Sequence, residues 1–436
     1  MEVWINNIAG GRRMSATQIR SITAQEVYSD RMKAAVMVTV ITENGAVGKA
    51  VCSPGISVGL HEELPLYDGG KRFAGCGVRK AVRNVNEILG PMLIGRCAER
   101  QAENDAIILS KGKIEMGVNA ITALSTAVLN AGANALGEPL YRHIGGVRAF
   151  TMPVPAALIA TGSNRYGFET GIGYKPTYSM LAYGFDSYNE AVTALWETYM
   201  NWYDIMKTKL AIKMQPIAGM AIPKGKLRND YELWEMMAEV IASSGYRGRI
   251  GLQVDMAANS FYNEETQKYE GIFSPEPKTR DEMIQLVLKM AREYPFVSIE
   301  DPLMEDDFEG FAVLTKESGI QIVGDDLIAT HKDRLEKAIK IKACNCIRIA
   351  TAQIGTFSEA AETALIAAEN NIGISPCGER GEGLNACDYA VGLNAGTARE
   401  YGMCYSGNRL MEIEKEIGSR VRFYGREGIK GKKMLN

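Results

Sequence analysis

Three carboxylates in the middle of this chain stand where a divalent cation would need them. Asp255 closes the stretch Gly248-Arg249-Ile250-Gly251-Leu252-Gln253-Val254, Glu300 closes Phe296-Val297-Ser298-Ile299, and Asp325 closes Ile320-Gln321-Ile322-Val323-Gly324. Each acid ends a short apolar run that reads as a strand. Carboxylates on three strand ends can converge on one hard cation, and an oxygen-only donor set suits Mg2+. The plainer alternative is that each acid caps the helix that follows it.

The elements that would position these acids repeat at a fixed step. Strand ends fall at 300, 325, 350 and 375, so each unit takes 25 residues. That is the length of one strand, one helix and two short loops, and such alternation implies a parallel sheet. The intervening segments have helical spacing. Thr279–Tyr294 places Met283, Leu286, Val287 and Met290 on one face. His331–Ala343 follows the second strand, and Thr356–Asn370 the third, with Thr356 and Glu359 at capping-box spacing. Consecutive units of this kind form either a barrel or a doubly wound sheet. In a barrel, chemistry sits at the carboxyl ends of the strands, where the acids are.

Composition excludes several classes. The net charge is −3, which gives no support for a nucleic-acid or membrane-surface partner. No apolar run is long enough to span a bilayer, and the first residues form no secretory signal. The cysteines are scattered; Cys344 and Cys346 alternate on one strand and make a poor metal knuckle, so free thiols in a reducing cytoplasm are expected. With three histidines, His61, His143 and His331, a mechanism resting on several imidazoles is not expected.

Upstream, Ile19–Asp30, Ala34–Thr42 and Ala46–Cys52 read as strands, the last two joined by a turn at Glu43-Asn44-Gly45. A glycine- and serine-rich loop, 53–59, follows. Val78–Gly90, Gln101–Lys111 and Val118–Leu136 read as helices, the last rich in small residues that permit close packing. Gly145-Gly146 and Thr151–Pro155 mark a division near residue 148, giving domains 1–148 and 149–436. Beyond it, Ala157–Thr161 reads as a strand, Gly162–Pro176 as a polar loop, Tyr188–Met206 as a helix and Leu210–Ile217 as a further strand.

Across nearly its whole length the sequence resembles enolase (phosphopyruvate hydratase). The resemblance rests on Asp68-Gly69-Gly70-Lys71, Lys80–Leu89, Pro139–Ile144, Ser298-Ile299-Glu300-Asp301-Pro302, Val323-Gly324-Asp325-Asp326-Leu327 and Gln353-Ile354-Gly355-Thr356. It implies an N-terminal α+β domain capping a modified (β/α)8 TIM barrel, usually in a homodimer. It also implies that Asp255, Glu300 and Asp325 correspond to the Mg2+ ligands. The family removes a proton next to a carboxylate and expels a β-hydroxyl, with a lysine as base, a glutamate as acid and magnesium stabilising the enolate.

The chain departs from that pattern where the chemistry is done. The base lysine's context, Leu-Lys-Val-Asn-Gln-Ile-Gly, reads Ile349-Ala350-Thr351-Ala352-Gln353-Ile354-Gly355 here. The acid glutamate aligns near Ala218 or Gly219, and no Asp or Glu occurs between Asp204 and Asp230. A second family glutamate aligns near Thr177. The phosphate-holding Ser-His-Arg-Ser-Gly-Glu segment becomes Ser375-Pro376-Cys377-Gly378-Glu379-Arg380, and the lid serine becomes Pro54. Arg399 keeps the positive charge of the family's late lysine. The acid and base are therefore unassigned, with Arg348, Glu379, Arg380 and Lys213 as candidates. Arg399, Ser57, Gly55 and Asn164 are the expected substrate contacts. The expected activity is that of a Mg2+-dependent lyase on a small anionic carboxylate, inefficient on 2-phosphoglycerate; the alternative is an inactive homologue that binds or assembles.

Overall fold

The computed structural model describes residues 15–29, 32–53, 55, 58–162, 165–166, 175–212, 219–378, 380–381, 383–399 and 402–431. The N-terminal strands Ile19–Tyr28, Ala34–Thr42 and Val47–Cys52 form an antiparallel meander with Ala34–Thr42 in the centre. Gly45 makes the turn with φ +82°, a conformation open to glycine without the Cβ clash. Val36, Val38 and Val40 are buried on the inner face, against the helix Val118–Leu136. That helix lies so close that a Cβ on Gly48 would stand 2.1 Å from the Ala127 carbonyl oxygen. Its small residues make this approach possible. The helical segment at 79–93 runs past the expected end at Gly90, as Arg79–Asn84, a wider turn Val85–Leu89, and Gly90–Leu93.

The second half closes into a barrel, which removes the doubly wound alternative. The strands run in the order Gly373–Pro376, Cys346–Ile349, Gln321–Gly324, Phe296–Glu300, Ile250–Asp255, Thr177–Ala182, Val154–Thr161 and Thr397–Ala398. The ring is completed where the Gly396 N–H donates to the Ile374 carbonyl at 3.1 Å. Most neighbours are parallel, but Thr177–Ala182 runs against both of its partners. The strands are buried on both faces, in keeping with their apolar sequences. Helices cover the outside. Thr279 with Glu282 and Thr356 with Glu359 form capping boxes.

Leu210–Ile217 is corrected in its described part: Leu210, Ala211 and Ile212 are not a strand, and 213–217 lie outside the described residues. The nearest pairing is the short strand Met220–Ala221 against Ala160 and Thr161. The N-terminal half is fastened to the barrel by side chains of its helices. Thr122 Oγ1 donates to the Gly355 carbonyl at 2.7 Å, Ser125 Oγ accepts from the Phe357 N–H, and Asp105 accepts from the Ser358 N–H and hydroxyl. These bonds hold the turn that carries Gln353, and through it the site.

Candidate active site

Asp255 and Glu300 end adjacent strands and stand directly opposite in register. Asp325 follows the next strand, whose Val323 pairs with Glu300. Strand periodicity thus brings the three predicted acids to one rim. Carboxylate oxygens of Glu300, Asp301 and Asp325 lie within 4.8 Å of one another. Asp301 enters this group because its backbone is left-handed, at φ 41°, and its side chain turns back to accept from the Asp325 and Asp326 N–H groups at 3.0 and 2.9 Å. Asp325 Oδ1 accepts from Gln353 Nε2 at 2.7 Å, and Gln353 Oε1 accepts from the Thr330 hydroxyl at 2.7 Å.

Asp255 stands apart from that group, tied to protein cations. Its Oδ2 pairs with the ammonium of Lys175 and the guanidinium of Arg399. Glu300, with no exposed surface, accepts from Arg399 at 2.9 Å on Oε1 and from Arg348 on Oε2. Arg348 also reaches Ser375, its register partner on the next strand. Arg348 and Ala350 share the inward face of one strand, so the guanidinium lies one pleat below the position where the family has its lysine. Ala350 itself is buried, with its N–H donating to the Thr330 hydroxyl at 3.1 Å.

Further acids lie toward the N-terminal half. Glu62 pairs with Arg380 through both carboxylate oxygens, and the Ser53 N–H donates to the Arg380 carbonyl at 2.8 Å. Leu60 N–H donates to Glu305 Oε2 at 2.9 Å. Gly59 packs so tightly that a Cβ there would meet Asp326 Oδ1 and Glu305 Oε2, each at 2.9 Å. Burial, and then the charges of neighbouring carboxylates, push the Asp301 and Asp326 carboxyls well above their usual range. Burial also raises Glu62 against the pull of Arg380, and raises Glu305. Carboxylates outnumber cations here: Glu62, Asp255, Glu300, Asp301, Glu305, Asp325 and Asp326 face Lys175, Arg348, Arg380 and Arg399. An oxygen-only donor set with surplus negative charge fits a hard divalent ion.

The other expected site residues are placed as follows. Arg399 is at the site, on Asp255 and Glu300. Gly55 is buried, and its carbonyl accepts from Lys33 at 2.9 Å. Ser57, Asn164, Lys213 and Glu379 lie outside the described residues. His61 points to Asp306 at 3.0 Å on the outer rim. Lys175 was not among the sequence candidates. Polar residues that follow strands mark the site of a parallel barrel, but Thr177–Ala182 runs antiparallel to both neighbours, so its amino end faces the site. The signal was a lysine two residues before an inward-facing Thr177. A cavity of about 440 Å³, lined by Arg148, Leu365, Asn371 and Lys430 among others, opens at the opposite end of the barrel.

Two family profiles cover the chain. "Enolase, N-terminal domain" matches residues 19–144 and "Enolase, C-terminal TIM barrel domain" matches residues 149–432. Among curated relatives, the enolase of Pyrococcus furiosus is 36% identical over 94% of this chain and 97% of its own length. That of Methanopyrus kandleri is 36% identical over 93% and 97%, and that of Methanococcus aeolicus 37% over 92% and 96%.

Proposed function

The chain belongs to the enolase family, and on that premise we propose that it is a metal-dependent carbon–oxygen lyase for a small carboxylate other than 2-phosphoglycerate. One observation carries the reading: the acid-rich rim is intact at Glu300, Asp301 and Asp325, while position 350 is alanine and Arg380 is bonded to Glu62. The cation-binding part of an enolase site is retained, and the parts that take the proton and grip the phosphate are changed.

A divalent ion held by Glu300 and Asp325, with Asp301 beside them and Asp255 at the edge, would supply the positive charge that stabilises an enolate. The protein's own groups do the rest. Arg399 meets the substrate's carboxylate side of the site. Lys175, buried beside Asp255, is the amine placed to exchange a proton with bound substrate. Arg348 keeps its proton and serves as fixed charge. Burial of these groups strengthens each interaction by excluding water. A homodimer or higher homo-oligomer in the cytoplasm is the setting proposed for this chemistry, with the division of the chain near residue 148. Among the described residues no helix is long and apolar enough to cross a membrane.

The test mixes purified protein, Mg2+ and 2-phosphoglycerate and follows the enol phosphate by ultraviolet absorbance, with Asp325→Ala as control. Little or no turnover is expected, with turnover of other small β-hydroxy carboxylates in its place. Ordinary enolase rates, lost in the control, would overturn the reading. A second reading is a non-catalytic binding or assembly protein, favoured by the protein cations already seated on Asp255 and Glu300. On that reading, alanine at Asp325, which anchors none of these cations, leaves function intact.

A further inference from the structure

We infer that Arg348 is a positioning residue that holds Glu300 and sets a low affinity of this site for its divalent cation, an inference that rests on the metal-dependent reading above. Glu300 is fully buried and receives a guanidinium on each oxygen, Arg348 on Oε2 and Arg399 on Oε1. A cation approaching Glu300 therefore meets fixed positive charge within hydrogen-bonding distance of its ligand.

The two arginines differ. Arg399 also pairs with Asp255. Among the described residues Arg348 has Glu300 as its one ion-pair partner, shares Ser375 as a neutral second contact, and leaves its Nε without a hydrogen bond. It is 1% exposed, so water screens it little, and its guanidinium cannot deprotonate. It lies on the inward face of Cys346–Ile349, reaching past the Gln321–Gly324 strand to the end of Phe296–Glu300. Its charge is therefore held against the ligand in every protonation state of the protein. It also orients Glu300 toward the barrel interior, as hydrogen bonds to a metal-binding carboxylate do. The arrangement makes occupancy of the ion conditional: the ion binds well only when an anionic substrate adds charge to the same site.

The experiment measures Mg2+ binding by titration calorimetry, without substrate, on the full chain and on Arg348→Gln and Arg348→Lys. Arg348→Gln keeps a donor for Glu300 and removes the charge; Arg348→Lys keeps the charge. We expect Mg2+ to bind at least tenfold more tightly to Arg348→Gln, about 1.4 kcal/mol, and with near wild-type affinity to Arg348→Lys. Equal or weaker binding by Arg348→Gln, with measurable binding by the wild type, would overturn this inference and leave the proposed function standing. No binding to any of the three proteins would overturn this inference, since Arg348→Gln should then have bound, and the proposed function would be decided by the turnover assay above. If Arg348→Gln is unfolded in metal-free buffer, the rise of its midpoint with added Mg2+ reports the same affinity, and a rise no larger than that of the wild type counts against the inference.

Discussion

Replacing Glu300 by glutamine distinguishes a metal ligand in an overcrowded acid cluster from the anchor of two buried cations. In the first case, removing one negative charge from metal-free protein relieves repulsion and stabilises the fold. In the second it leaves guanidinium groups buried without their countercharge. Glu300 has no exposed surface, and Arg348 and Arg399 are 1% and 5% exposed. Among the described residues Arg348 has no other anion, whereas Arg399 keeps Asp255. Breaking a buried ion pair by removing one partner typically costs about 3–5 kcal/mol. Because glutamine keeps one acceptor and Arg399 keeps a carboxylate, the lower end applies, and Glu300→Gln should lose about 3 kcal/mol. Urea unfolding in EDTA, with the slope held common, reads this directly. Asp326→Asn is the internal control. Asp326 accepts from Asn259 on Oδ2, and its Oδ1 lies with Glu305 Oε2 against Gly59, so that substitution should be neutral or stabilising by up to about 1 kcal/mol. A Glu300→Gln protein at least as stable as the wild type would mean that the arginines are not held by Glu300, and the charge balance described here would be wrong.

Other consequences follow from the same contacts. The Asp326 carboxyl has a folded value held above its unfolded 3.8 by burial and by the charges of Asp325, Glu62 and Glu305, so its contribution to metal-free stability is complete below about pH 4 and falls as the pH rises toward the folded value; Asp326→Asn should flatten that slope in midpoint-against-pH curves. Gln353→Leu removes the donor on Asp325 Oδ1 and should weaken Mg2+ binding about 10–100-fold by calorimetry, while changing the urea midpoint less than Glu300→Gln does. Gly48→Ala places a methyl group 2.1 Å from the Ala127 carbonyl oxygen and 2.3 Å from the Ala131 nitrogen, both backbone atoms that cannot turn aside, so a loss of about 1–3 kcal/mol or more is expected in denaturant unfolding.

What the sequence disclosed and what it hid divide along physical lines. Strand length, apolar content and a 25-residue step are local properties, so the positions of Glu300 and Asp325 could be read from them, and the parallel sheet followed. Arg348 was visible by alternation, since it shares a face with Ala350. Lys175 was hidden by direction: an antiparallel strand in a mostly parallel barrel offers its beginning, not its end, to the site. Asp301 was hidden by a single left-handed backbone angle, which no pattern of residue types announces. The Glu62–Arg380 pair joins residues 318 positions apart, and its existence depends on how the N-terminal half sits on the barrel. Leu210, Ala211 and Ile212 form no strand, because a short apolar run does not by itself fix the type of element.

The placement of Arg348 bears on how the site changed. A lysine at position 350 would offer an amine able to give and take a proton; an arginine at 348 offers a charge that stays. Moving the cation down one pleat keeps the electrostatic partner that buried Glu300 requires, because a carboxylate without exposed surface is tolerated only when paired. It also leaves a small residue, Ala350, at the strand end, where the lysine would have stood over the substrate. On the proposed function, stability at this wall is preserved while its proton chemistry is removed, and an amine paired with Asp255, that of Lys175, stands on the other side of the acids. Proton transfer from that side would address the opposite face of a bound substrate. A substrate resolved into its two configurations at the carbon that loses the proton should therefore be consumed in one form only, and in the form opposite to the one a lysine at 350 would select. Consumption of both forms at equal rates would mean that Lys175 does not carry the proton.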